Sequence, residues 1–155
     1  MITCVSLLLW HRYCIPLDED SRSFTQAEKK FFSCDTGGVP VIVVFTKFDA
    51  LYDVEYAQLR SDEGLSWEDA QELAPKRAEE SFANGPQLKF LYNVEDIGWP
   101  PKCHVCLPNM DKDGADCGPL IERTAETLDD EALKQLFIST QQTNLELCMK
   151  YAVEV

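Results

Sequence analysis

Apolar positions along the chain change their period several times, and each change marks an element. Cys4 to Ile15 is apolar almost throughout and starts with no preceding turn or cap. It reads as a strand opening with the chain, closed by Pro16 and the acidic Asp18-Glu19-Asp20. Ser23-Phe-Thr-Gln26 has capping-box spacing, with Phe24, Ala27 and Phe31, and Glu28 and Phe32, at helical intervals. Thr36-Gly37-Gly38 stops that helix. Val41 to Phe45 is an unbroken, β-branched run flanked by Gly-Gly-Val-Pro, the pattern of a strand buried on both faces in a parallel sheet. Strand, short helix, strand predicts a βαβ unit with a right-handed crossover.

After Asp49 the chain turns acidic. Ser66-Trp-Glu-Asp69 starts a second helix, with Ala70, Leu73, Ala74, Ala78 and Phe82 on its apolar face. Pro75 interrupts that face and predicts a kink or two shorter helices. Asn84-Gly85-Pro86 ends it, and Leu88 to Tyr92 fits a short strand or a packed connection. Trp99-Pro100-Pro101 is a rigid elbow before a third strand, Cys103 to Leu107. Pro108 to Gly118 is a loop, and Gly118-Pro119 opens a helix carrying Leu120, Ile121, Thr124 and Leu128. A last helix is expected from Asp129 to about Ala152, with a stripe of Leu133, Leu136, Phe137, Thr140, Leu147, Cys148 and Tyr151. The order β-α-β-α-β-α-α, without internal repeats, predicts an α/β protein with a small parallel sheet and flanking helices.

Length and charge narrow the partners. A chain of 155 residues, 45% hydrophobic and 26% charged, suffices for one domain with a real core. A formal net charge of −13 repels a phosphate backbone and an anionic membrane surface, so neither nucleic acid nor membrane is an expected partner. The seven cysteines are odd in number and irregular in spacing, which suits reduced thiols rather than a disulfide framework. The N-terminus lacks a basic start and a small-x-small cleavage site, and no segment reaches the roughly 18 apolar residues of a membrane span. A soluble, cytoplasmic protein is expected.

The polar tetrapeptide Thr46-Lys47-Phe48-Asp49 follows the buried strand directly, where open α/β sheets bind ligands. Its plain reading is a solvated strand-to-helix loop. It also resembles the guanine-specificity motif of GTP-binding G domains, written N/T-K-x-D. Guanine presents two adjacent donors, the ring imino N–H and the exocyclic amino group, and one carboxylate can accept both; adenine lacks that pair. The resemblance extends further. From Tyr13-Cys-Ile-Pro-Leu-Asp18 through Val39 to Asp49 and over most of the chain, the sequence looks like the second half of fungal G-domain-containing proteins of the P-loop GTPase superfamily. It implies a partial three-layer α/β/α G-domain fold of about three parallel strands: a βαβ unit over residues 1–49, a helical connection over 50–102, and the last strand and C-terminal helices over 103–155. It also implies GTP or GDP as ligand, with Asp49 reading the base, the Lys47 stem lying over base and ribose, and Thr46 tying the loop to its neighbours. The family's last guanine element is a loop after the final strand, where a backbone N–H reaches the base carbonyl. Leu107-Pro108-Asn109 stands at that place, although Pro108 has no N–H to give. Thr124-Ala125 fits the family's letters better but falls inside a predicted helix.

The phosphate-binding loop, G-x-x-x-x-G-K-S/T, is absent from the sequence. That loop supplies the N–H cradle, the phosphate-binding lysine and the hydroxyl on magnesium, so Mg2+ is expected only together with a missing N-terminal half. The chain is therefore expected to bind GTP or GDP weakly and not to hydrolyse GTP alone. The alternative is a degenerate α/β protein that acts through protein contacts, including self-association along an unpaired sheet edge at Val5 to Leu9.

Other motifs have simpler readings. Asp35-Thr36-Gly37-Gly38 fits D-x-x-G by letters, yet only seven residues separate it from Thr46, and it reads as a helix C-cap. Cys103-x-x-Cys106 lacks a partner pair, and at strand spacing its thiols point to opposite faces, against a shared metal. Asp111-Lys-Asp-Gly114 departs from a calcium loop after its first positions. His11 and His104 each fall in a strand, and no catalytic triad is legible.

Overall fold

The run Val41–Phe45 is the middle of the molecule. In the computed structural model, which describes residues 11–17, 24–37, 39–93, 97–128, 131, 134–135 and 138–140, it forms strand β2, Val41–Thr46. Every residue from Val41 to Phe45 is buried, as a strand covered on both faces requires. Strand β1, His11–Pro16, lies on one side and β3, Cys103–Leu107, on the other, both parallel to β2. The register aligns Pro16, Thr46 and Leu107, so three strands end together.

Alternation along β2 sorts the core. Val41, Val43 and Phe45 face one side, where they pack with Phe32, Phe82, Leu91 and Ile97. Ile42 and Val44 face the other, with Val105, Leu107 and the partly buried Leu120. The first face is covered by α1, Gln26–Phe32, α3, Trp67–Ala83, and α4, Pro86–Tyr92; the second by α5, Gly118–Glu126. Two crossovers of one hand, stepping the same way across the sheet, put their helices on a common face, which is where α1, α3 and α4 lie. The molecule is thus mixed α/β, with a three-stranded parallel sheet and helices on both faces.

Several elements differ from expectation. The strand predicted from Cys4 runs from His11 within the described residues, and Cys4 to Trp10 lie outside them. The capping box stands two residues later than predicted. Thr25 Oγ1 accepts from the Glu28 N–H (3.2 Å) and the Glu28 carboxylate accepts from the Thr25 N–H (2.6 Å). A carboxylate is the stronger acceptor for that return bond than Gln26 would be. Helix α1 then stops at Phe32 with Ser33 as cap, before the glycines. Asp35 to Gly37 is not its C-cap but an Asx turn, in which the Asp35 carboxylate accepts from the Gly37 N–H at 2.8 Å and Gly37 takes φ +66°.

The acidic stretch after Asp49 is a helix, α2, Ala50–Ser61, packed on α3 through Tyr56, Leu59, Ala70 and Ala74. Pro75 does not divide α3, which runs unbroken over 17 residues from a Ser66 cap whose hydroxyl accepts from the Asp69 N–H. The carbonyl that Pro75 leaves without a donor belongs to Gln71 on the exposed face, where water can take its place. Ala70, Ala74, Ala78 and Phe82 are buried, while Leu73 is 39% exposed and stands off the predicted face. Leu88 to Tyr92 is neither strand nor connection but part of α4, opened by Pro86 after a Gly85 cap. Of the predicted C-terminal helix, residues 131, 134–135 and 138–140 are helical and the remainder lies outside the described residues. No helix of the described residues is long and apolar enough to cross a membrane.

Candidate functional site

The aligned strand ends bring both predicted loops together. Thr46, the last residue of β2, is half-buried, and its carbonyl accepts from the Leu17 N–H at 3.0 Å, which binds the end of β2 to that of β1. Lys47 follows, exposed and in the left-handed region at φ +54°. A long side chain seldom adopts that conformation, which costs of order 1–2 kcal/mol outside glycine. Phe48 turns back into the core, 2% exposed, with its ring edge-on to Phe82 at 5.1 Å and to Tyr52 at 5.9 Å. Phe48 thus anchors the loop between an exposed Lys47 and a half-buried Asp49 and holds the two in a fixed relation.

Asp49 occupies the cap position of α2 but does not cap it. Its backbone is helical (φ −62°, ψ −22°), and its side chain bonds no amide of its own helix. An aspartate at a helix start ordinarily accepts from the second or third amide. Here tight backbone bonds (Ala50 to the Lys47 carbonyl, Leu51 to Phe48, Tyr52 to Asp49) engage those amides. The carboxylate is thereby released to reach another part of the chain. Its Oδ1 accepts from the Asn109 N–H at 2.7 Å, across 60 residues of sequence.

Asn109 is the second non-glycine residue with positive φ among the described residues, again at +54°. Asparagine tolerates this region, and its side-chain oxygen accepts from the Lys112 ammonium. Leu107 contributes its carbonyl, which accepts from the Phe48 N–H (3.4 Å), while its side chain is buried against the opposite face. Pro108 is half-buried between them. Thr46, Lys47, Asp49, Leu107, Pro108 and Asn109 are thus gathered at one end of the sheet. Thr124 and Ala125, the other candidates by letters, are inside α5; Thr124 is fully buried with its hydroxyl on the Leu120 carbonyl at 2.6 Å.

Two neighbours of the site were not predicted. Tyr52, three residues after Asp49 on α2, has its hydroxyl pKa raised by burial and by the negative charges of Glu79 and Asp49. Helical spacing from Asp49 would have found it had the acidic stretch been read as a helix. Lys112, which holds Asn109, carries no such signal in a loop.

The remaining chemistry is distributed elsewhere. Cys103 packs with Ile42 and Val105, and Cys106 with Phe45 and Phe82, so the CxxC thiols lie on opposite faces as strand spacing predicts. Burial raises both thiol pKa values, that of Cys106 to about 12. His104 and Tyr92 share a hydrogen bond of 2.8 Å between Nδ1 and the hydroxyl. An apolar groove of about 600 Å³ lies among the helices, walled by Phe24, Leu51, Phe82 and Phe90, and none of the loop residues lines it. No family model, no curated protein and no solved structure matches this chain.

Proposed function

We propose that the chain is a guanine-nucleotide-binding module with a G-domain-type arrangement of the P-loop NTPase superfamily, in which Asp49 reads the base of GTP or GDP. The observation that carries this is the 2.7 Å bond from the Asn109 N–H to Asp49. It joins the two loops that the resemblance assigns to the base, at the ends of adjacent parallel strands, and it uses a carboxylate that its own helix leaves free. Lys47 supports the reading as well, since a displayed cationic stem held at positive φ is a local cost of the kind that accumulates at functional sites.

The phosphates and magnesium have no comparable support. The sequence has no G-x-x-x-x-G-K-S/T, and among the described residues no three His, Cys, Asp or Glu side chains are grouped to hold a metal ion. No hydrolytic step is assigned to any residue, and the expected outcome of a GTPase assay on this chain alone is no magnesium-dependent turnover above background. Binding without a phosphate cradle is weak, about millimolar, or some 4 kcal/mol.

The same bond also favours a second reading, because a carboxylate paired to a backbone amide can be a clamp between loops in a protein that binds no nucleotide. Calorimetric titration with GDP and with ATP separates the two. The guanine reading expects GDP to bind, ATP not to, and Asp49→Ala to abolish binding. The clamp reading expects no heat from either nucleotide, with Asp49→Ala felt only in stability.

A further inference from the structure

Purine bases are distinguished at one edge. Guanine offers a ring N–H and a 2-amino group as donors, with a keto oxygen as acceptor; hypoxanthine keeps the ring N–H and the keto oxygen but lacks the amino group. A carboxylate with both oxygens open takes both guanine donors and penalises hypoxanthine, which leaves one oxygen unpaired.

In Asp49 one of the two acceptor sites of Oδ1 is already engaged. Oδ1 already holds the Asn109 N–H at 2.7 Å. The donor is fixed from both sides, by the left-handed backbone of Asn109 and by the Lys112 ammonium on its side-chain oxygen. A 2-amino group would have to share Oδ1 with this amide, and when the amino group is missing the oxygen remains paired. Oδ2 is left to take the ring N–H, which guanine and hypoxanthine both present and adenine does not. For the keto oxygen, Pro108 has no N–H and that of Asn109 is committed. The next amide in the loop, that of Met110, has no acceptor among the described residues.

We propose that this site, on the guanine reading it rests on, recognises the keto–imino edge common to guanine and hypoxanthine and does not select for the 2-amino group, with Asn109 as the residue that sets this relaxed specificity.

The test is titration of the isotopically labelled chain with GMP, IMP and AMP, followed through the backbone amides of Lys47 to Asp49 and of Asn109 and Met110. IMP is expected to bind with a Kd less than about tenfold above that of GMP, the margin that one lost charge-assisted hydrogen bond would exceed. AMP is expected to give no saturable shift. A GMP preference of about tenfold or more over IMP overturns the proposal and leaves the guanine reading standing. Saturable AMP binding equal to that of GMP, or no binding of any of the three up to about 10 mM, removes the guanine reading and this proposal with it.

Discussion

Asp49 and Asn109 show how far residue letters carry and where backbone conformation takes over. The types and positions were legible: a carboxylate and a turn-forming asparagine, each just past the end of a buried strand. What they do to one another was not, because the bond depends on the sign of φ at Asn109 and on Asp49 failing to cap its own helix. Lysine at positive φ is rare enough that no sequence rule would place Lys47 there. The conformation of Asn109 has a direct test. Asn109→Gly keeps access to φ +54° and should hold stability near that of the native chain, whereas Asn109→Val should cost about 1–2 kcal/mol or force the loop out of shape. Urea unfolding measures the cost, and chemical shifts at Asp49 report the clamp. Equal stability of the two variants would mean that the left-handed turn is not maintained in solution.

At the scale of elements, the chain is read well where one signal dominates and badly where two compete. The buried run at β2, the third strand and the Gly118-Pro119 helix start all stand where the pattern put them. Helix α2 was hidden because Asp53 and Glu55 dominate a segment whose Tyr52, Tyr56 and Leu59 nonetheless fall at helical spacing. Helix α4 was hidden because Gly85-Pro86 reads equally as the end of one helix and the beginning of the next. Pro75 is the opposite case, a strong local breaker overruled by tertiary packing. Ala70, Ala74, Ala78 and Phe82 bury one face of α3 on either side of it, and the freed Gln71 carbonyl is at the surface. The proline therefore costs stability without changing the fold. Pro75→Ala should restore one helical hydrogen bond and raise stability by about 1–3 kcal/mol, with the same helix content by circular dichroism. A Pro75→Ala chain no more stable than the native one would show that the lost bond is already compensated.

In the molecule as a whole, His104 sits where three elements meet, and it couples stability to pH. Its ring projects from β3 toward Phe45 and bonds the Tyr92 hydroxyl on α4, while Arg123 on α5 stands near enough to act on its charge. Burial lowers its pKa below the ordinary 6.5, and the Arg123 guanidinium lowers it further. The neutral ring is thus the form the fold favours, and in either tautomer its Nδ1 shares a hydrogen bond with the Tyr92 hydroxyl. The direction of linkage follows from the depressed value. Above 6.5 the imidazole is neutral in both folded and unfolded chains and contributes no pH dependence. As pH falls below 6.5 the unfolded chain takes up the proton first, so stability is lost across the window between 6.5 and the lower folded value. Carboxylates add their own dependence at lower pH, so the contribution of His104 has to be read as a difference between two chains. His104→Gln retains a polar partner for Tyr92 but cannot titrate. Urea midpoints measured from about pH 8 down to about pH 5 should fall more steeply for the native chain than for His104→Gln, with the two curves parallel above pH 6.5. Curves that stay parallel through the whole range would mean that the imidazole titrates alike in the folded and unfolded chains. The bond between His104 on β3 and Tyr92 on α4 would then hold this side of the sheet equally at every pH in that range, beside the apolar packing of Phe45, Phe82 and Leu91.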